Sequence, residues 1–270
     1  MEESGFSIGQ QDDQRARQQS SVQRAIQLLR LFLDADNGLS VTGAANALGV
    51  GKSTVSRLLA TLAAEGLVVM NRDTRRYHVG PLAFQIGNRF AGANLALAVQ
   101  PLLRDLAEQA QCTAQIGTLD GVHVVYLSVS QGPGRLRVVA SPGDRRYLHT
   151  SAMGKALLAV LPPEDCQALV KQMLGQGSLL PTSAPMTIGA PDELARELDL
   201  TRRRGYSATN EEAALGVDAV GMVVQGPPDF PLAISVAYPV NQHIEGGQPR
   251  LIELLSTTAV KIRQKLSTTS

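Results

Sequence analysis

Tryptophan is absent from this 270-residue sequence, aromatic residues make up 4% of it, and cysteine occurs only twice, as Cys112 and Cys166. Two thiols are too few for a disulfide framework or a cysteine-built metal site, so a reducing, cytoplasmic setting is expected. No apolar run approaches the about 20 residues of a membrane span, and the start lacks the basic-then-apolar pattern of a secretory signal. No membrane partner is therefore expected. Histidine is scarce too: His78, His123, His149 and His243 are the full set, and none lies in a metal-ligand or nucleophile motif. The one conspicuous carboxylate pair, Glu211-Glu212, consists of adjacent residues, which point apart on a strand or turn. Cys166 follows Pro162-Pro163-Glu164-Asp165 at a helix start, where the dipole lowers a thiol's pKa and neighbouring acids raise it. It is expected to be a packed thiol. No metal, cofactor or catalytic activity is expected.

Net charge is also lacking, with 25 basic against 24 acidic residues. The charges are unevenly placed, however. Between Asn37 and Gly80 the basic residues are Lys52, Arg57, Arg72, Arg75 and Arg76, against only Glu65 and Asp73. A basic module on a near-neutral body suits a polyanion-binding head.

What the sequence does contain begins after a polar stretch, residues 1–20, expected to be a disordered tail. Val22, Ile26, Leu29 and Leu33 recur at helical spacing and predict a helix from about Ser21 to Ala35, ended by Asp36-Asn37-Gly38. Ser40 is placed to cap a short helix running to Leu48, although Gly43 denies it a capping box. After the Gly49-Val50-Gly51 turn, a third helix is predicted from Lys52 to Glu65, closed by Gly66. Steps of 100° put Val55, Leu58, Leu59 and Leu62 on its buried face. The opposite face carries Ser53, Ser56, Arg57, Ala60, Thr61 and Ala64, with Thr54 at its edge. Short hydroxyl side chains let a helix sit deep in a major groove, where Arg57 reaches a guanine edge or a phosphate. A charge-poor surface helix is the plainer alternative. Two β-like segments follow, Val68 to Asn71 and Arg75 to Val79, joined by Arg72-Asp73-Thr74. They predict a hairpin wing whose Arg72, Arg75 and Arg76 would grip phosphates. Lys52, Ser53, Thr54, Ser56, Arg57, Thr61, Arg72, Arg75 and Arg76 are thus the candidate DNA-contacting residues. Gly51-Lys52-Ser53-Thr54 imitates the end of a phosphate-binding P-loop, but the glycine required five residues earlier is Asn46, and no buried strand precedes it.

The remainder predicts an α+β domain. Thr113–Leu119 and His123–Val129 flank the hairpin signal Asp120-Gly121. Arg135 to Ala140 reads as a further strand, Met153 to Leu161 and Pro191 to Arg204 as helices. Ala219 to Val224 and Leu232 to Tyr238 read as strands, and Arg250 to Lys265 as a last helix. Hairpins with segregated helices favour α+β over a wound parallel sheet. Ser151-Ala152-Met153-Gly154 opens a helix, where free N–H groups bind carboxylate or carbonyl oxygens. The competing reading is that Gly154 and the alanines only permit close helix–sheet packing.

Three runs carry a family resemblance. LSVTGAANALGVGKSTVSRLLATLAAEGLV (39–68) resembles the winged helix-turn-helix of IclR-type bacterial regulators. GDRRYLHTSAMGKALLAVLP (143–162) is similar to that family's effector-domain signature, and RRRGYSATNEEAALGVDAVGMVV (202–224) to the segment completing its effector pocket. The resemblance implies a winged helix-turn-helix over 21–80, a linker helix over 81–98 and a GAF-like effector-binding domain over 99–270. It further implies a double-stranded DNA operator as partner, a homodimer or dimer of dimers, and no catalysis, while repression and activation stay equally open. It favours the pocket reading of Ser151, Ala152, Met153 and Gly154 and adds Thr209, Ala219, Ser235 and Ala237 as effector-binding positions. Threonine and two alanines among the latter point away from a glyoxylate- or pyruvate-like effector. They point toward a larger or less polar organic acid, with Tyr147 and His149 bordering it. A constitutive DNA-binding protein whose second domain only oligomerises is the alternative.

Overall fold

The computed structural model describes residues 20–89, 91–134, 138–174, 184, 186–224 and 230–267. The tail expected over 1–20 lies outside them except for Ser20. That residue caps the first helix, α1 (Ser21–Arg30): its hydroxyl accepts the Gln23 N–H while the Gln23 side chain accepts the Ser20 N–H. Two otherwise orphaned donors are satisfied this way. The helix then tightens into a 3-10 turn, Leu31–Asp34, and Gly38 at φ +74° turns the chain.

Two compact units divide after residue 90. In the first, α2 (Val41–Leu48) is capped by the Ser40 hydroxyl accepting from Gly43 N–H, with no reciprocal bond, as glycine dictates. Gly49 at φ +64° allows the turn into α3 (Lys52–Ala64). Leu28, Ala44, Ala45, Val55, Leu59, Leu62 and Val68 close one core. The wing is β1 (Val68–Met70) paired antiparallel with β2 (Tyr77–Val79), and Leu39 adds a bridge to Tyr77. The hairpin strands are shorter than predicted. Asn71 accepts from the N–H groups of Asp73 and Thr74 and Arg75 sits at φ +55°, so Arg75 and Arg76 belong to the turn.

The single helix expected over 81–98 is instead α4 (Pro81–Gly87) and the first part of α5 (Ala91–Ala110). Gly87-Asn88 is a poor helix continuation, and Pro81 preorganises the start of α4.

The second unit is a six-stranded antiparallel sheet in the order β5-β4-β3-β8-β7-β6. Its strands are β3 (Thr113–Asp120), β4 (His123–Ser130), β5 (Arg145–Tyr147), β6 (Ser207–Asn210), β7 (Val217–Val224) and β8 (Leu232–Pro239). Asp120 pairs with His123, so the hairpin's two loop residues are Gly121-Val122, one position later than the sequence signal. Of the strand expected over 135–140, residues 135–137 lie outside the described residues and 138–140 are not in a strand. Helix α5 and the C-terminal α9 (Gly247–Ser267) cover one sheet face through Val99, Leu103, Leu106, Leu251, Leu255 and Ile262. The other face carries α6 (Ala152–Val160), α7 (Pro163–Met173) and α8 (Pro191–Arg204), whose Gly205 ends at φ +78°. Ala152 through Ala159 are all buried, making α6 a core helix with apolar residues on every side.

Candidate nucleic-acid interface and ligand cavity

Helix α3 buries Val55, Leu59 and Leu62, which aims the other side outward. Lys52, Ser53, Ser56, Arg57 and Thr61 are exposed, and Thr54 is half-buried. The Thr61 hydroxyl donates to the Arg57 carbonyl at 3.0 Å, so toward DNA it offers only its acceptor side. Arg72 and Arg75 are exposed on the wing. Arg76 differs: its Nη1 donates to the Gly38 carbonyl at 2.7 Å, tying the wing to the turn after α1. Removing Arg72 and Arg75 together is therefore expected to weaken binding to every DNA sequence. The salt dependence should flatten by about one unit of slope per lost phosphate contact. Arg76→Ala should instead lower the melting temperature of the N-terminal unit. Titrations across salt concentrations and a thermal melt separate the two, and an unchanged slope would place Arg72 and Arg75 off the DNA.

A cavity of about 230 Å³ lies between α6 and the sheet. Its position follows from register. Ser207, Gly221, Ser235 and Gln115 stand opposite one another across β6, β7, β8 and β3, and two residues along stand Thr209, Ala219, Ala237 and Thr113. Directly opposed residues share a face. Gly221 lets the start of α6 press onto the first row: a Cβ there would meet Ala152 C at 2.7 Å and Met153 N at 2.9 Å. The Ser207 hydroxyl also donates to the Ala152 carbonyl. The second row, small at Ala219 and Ala237, leaves the space open.

Seven of the eight expected effector positions line this cavity: Ser151, Ala152, Met153, Thr209, Ala219, Ser235 and Ala237. Gly154 does not. A Cβ on it would overlap the Leu148 carbonyl, so this glycine serves close packing, the alternative weighed for it above. Its N–H is taken by the Ser151 hydroxyl at 2.9 Å, leaving the Ala152 and Met153 N–H groups as those the helix cannot satisfy. Tyr147 and His149 are not in the lining either. Tyr147 stacks on His123 at 4.6 Å between ring centroids, and His149 is fully buried.

Sequence reasoning missed Gln115, Tyr126 and Arg146, which bring further polar groups to the lining. Among the described residues Arg146 is the only charged side chain there. Burial pushes the Tyr126 phenol above its ordinary pKa, with Arg146 pulling it down and Asp144 raising it. The phenol is thus a neutral donor at physiological pH. The loop between β6 and β7 brings Ala213 and Ala214 to the lining and is held by Glu212. Both oxygens of the Glu212 carboxylate meet the buried Lys155 Nζ, at 2.8 and 2.9 Å. Burial raises the Glu212 pKa against the lowering pull of Lys155.

Both thiols are buried; burial pushes Cys112 up to about 11 and raises Cys166 against the opposing charge of Arg202. Neither is an activated nucleophile. Among the described residues no cluster of three or more His, Cys, Asp or Glu could hold a metal ion. No described helix is long and apolar enough to cross a membrane.

A basic winged helix joined to an α+β unit with an internal cavity defines a class, that of DNA-binding regulators. Family models agree: the IclR helix-turn-helix domain matches residues 21–72, and the bacterial transcriptional regulator IclR C-terminal domain matches 89–264. The HTH-type transcriptional regulator BhcR of Paracoccus denitrificans is 36% identical over 201 residues, covering 74% of this chain and 70% of that one. The transcriptional repressor IclR of Escherichia coli is 30% identical over 229 residues, covering 83% and 82%. An IclR homologue of Microbacterium hydrocarbonoxydans, crystallised with 4-hydroxybenzoate, shares the fold at a TM-score of 0.76 and 19% identity, over 92% of this chain and all 100% of that one. The chain belongs to the IclR family of bacterial transcriptional regulators. Its winged helix-turn-helix is a DNA-binding domain, its C-terminal domain is of the GAF-like α+β kind, and the family is one of regulators, not enzymes.

Proposed function

We propose that this regulator binds a double-stranded operator through α3 and the wing, and that a small organic acid held in the cavity of the C-terminal unit changes its operator affinity. The cavity itself carries the reading: it opens where the family resemblance implies an effector, and its lining combines backbone and side-chain donors with aliphatic walls. Lys52, Ser53, Thr54, Ser56, Arg57 and Thr61 would enter the major groove, and Arg72 and Arg75 would contact phosphates. The space exceeds what a two- or three-carbon acid fills, so an aromatic or medium-chain acid is the class proposed. The 4-hydroxybenzoate held by the Microbacterium homologue is of that class. Repression of the target gene is proposed from the repressors among its relatives, and a cytoplasmic site of action from the DNA partner. Self-association through the DNA-binding modules is supported by Val22, Ile26, Phe84 and Ile86, apolar side chains that stay 50% or more exposed.

Operator DNA selected from a random pool, titrated with and without a panel of carboxylic acids, tests the reading. An affinity that no acid changes, with no thermal shift, would leave only a constitutive DNA-binding protein. On the DNA side, Arg57→Ala is expected to cost about 1–3 kcal/mol in operator binding and to relax preference at one base position. Equal losses on operator and random DNA would make Arg57 a phosphate contact instead.

A further inference from the structure

We infer that the cavity selects an elongated acid bearing an anionic group at each end, and that Arg146 is the residue that demands the second one. The inference rests on the effector reading above and names the ligand class of that same site.

The starting point is where the donors stand. One set belongs to the first turn of α6, where the Ala152 and Met153 N–H groups open the helix over Gly221 of β7. Arg146 belongs to β5, opposite Val124 of β4. In the sheet order β4, β3 and β8 all lie between β5 and β7. At about 4.8 Å per strand, that is roughly 19 Å measured along the sheet, which the arginine stem spans only in part. The two donor sets therefore mark opposite ends of one cavity, and a single small carboxylate cannot engage both.

A helix start alone makes no site, but Gln115, across β8 from the Gly221 that the helix start covers, is a second pointer. Gln115 is 3% exposed, yet only one end of its amide is used: Oε1 accepts from the Ser235 hydroxyl at 3.3 Å. Its Nε2 has no hydrogen-bond partner among the described residues and faces the cavity. An amide donor open to a cavity is free to donate to a ligand entering it.

Arg146 is likewise uncommitted. One guanidinium nitrogen donates to the Arg145 carbonyl at 2.8 Å, and no carboxylate pairs with it among the described residues. It shares a sheet face with Tyr126, whose phenol feels its charge. Covering such a cation with a ligand that offers it nothing would strip its water without return. A ligand carrying a second carboxylate there gains a charge-assisted, potentially bidentate contact. Much of the remaining wall is aliphatic, with Val138, Ala140, Ala214, Val217 and Ala219. An α,ω-dicarboxylate matches these groups: one carboxylate accepts from the start of α6 and from Gln115, and the other pairs with Arg146.

The test uses hexanedioate and hexanoate, equal in length and differing in one end, with calorimetric titration of the full-length parent, Arg146→Gln and Gln115→Leu. The parent is expected to bind hexanedioate at least tenfold more tightly than hexanoate. Arg146→Gln should erase that preference while keeping hexanoate affinity within about twofold. Gln115→Leu should weaken both acids, because its amide serves the carboxylate they share. Equal parent affinities, or an Arg146→Gln variant that keeps the preference, would overturn the inference while leaving an acid-binding cavity intact. Binding of neither these acids nor any other of the panel would overturn the effector reading along with it.

Discussion

Glu212→Leu is expected to destabilise the C-terminal unit by about 3–5 kcal/mol, because it strands a buried ammonium group. Lys155 is 1% exposed in the middle of a helix that is otherwise apolar throughout. Its Nζ is held by both Glu212 oxygens, with Glu197 a weaker neighbour at 3.6 Å that is itself engaged by Arg204 at 2.7 Å. Losing Glu212 leaves that ammonium only the more distant Glu197. Lys155→Met should be milder, since burial already pushes the Glu212 carboxyl toward its neutral form; protonating even an ordinary glutamate at pH 7 costs only about 4 kcal/mol. The double variant should recover most of the loss, because a well-packed apolar pair replaces a buried ion pair at little cost. Calorimetry of the full-length chain and the three variants provides the measurement. A Glu212→Leu protein within 1 kcal/mol of the parent would show that water reaches Lys155 and that the pair is not buried in solution. The same pair anchors the β6–β7 loop, where the Glu212 carbonyl also accepts the Thr187 hydroxyl and the Glu211 N–H donates to Asp218. The variant should therefore also bind acids less tightly.

The DNA-binding unit was legible from the sequence because its signals are local. Ser40, Gly49 and the Val55–Leu59–Leu62 face each act within one turn of helix or one bend. In the C-terminal unit the same held for α8, bounded by Pro191 and Gly205 as its sequence predicts. What stayed hidden depends on residues far apart in the chain. Pro101 reads as a helix breaker, yet α5 runs through it because Val99, Leu103, Leu106 and Ala110 are buried against the sheet and α9. Tertiary burial outweighs local propensity there. The three-residue β5 has too little pattern to be seen, and with it went Arg146. Gly154 and Gly221 illustrate the limit most directly. Both are small residues beside the cavity, and only the partner backbone, Leu148 for one and Ala152 for the other, reveals that each serves packing. Gln115 carried no motif at all; it is marked by a neighbour 120 residues away.

Filling the cavity from its floor should uncouple the two units without unfolding either. Ala219 stands between Thr209 and Ala237 on the row that leaves the space open, so a larger side chain there grows into empty volume and not into the core. Ala219→Phe is accordingly expected to keep the fold and operator affinity while losing the response to whichever acid shifts the parent most. Ala219→Ser, which adds one atom, should retain it. The size of the loss follows from linkage, since an effector moves operator affinity only by its differential binding to the two states. Typical couplings of about 1–3 kcal/mol correspond to roughly 5- to 150-fold changes in operator affinity, all of which Ala219→Phe should remove. Gly154→Val makes a poor substitute, because its methyls would drive into the Leu148 backbone and loosen α6 itself. Operator titrations with and without the acid, on the parent, Ala219→Phe, Ala219→Ser and Arg57→Ala, separate the roles. Arg57→Ala should still bind the acid and show the thermal shift of the parent while losing base preference. A folded Ala219→Phe protein that keeps the parent's full response would place the effector outside this cavity, because no acid fits beside a phenyl ring on that floor.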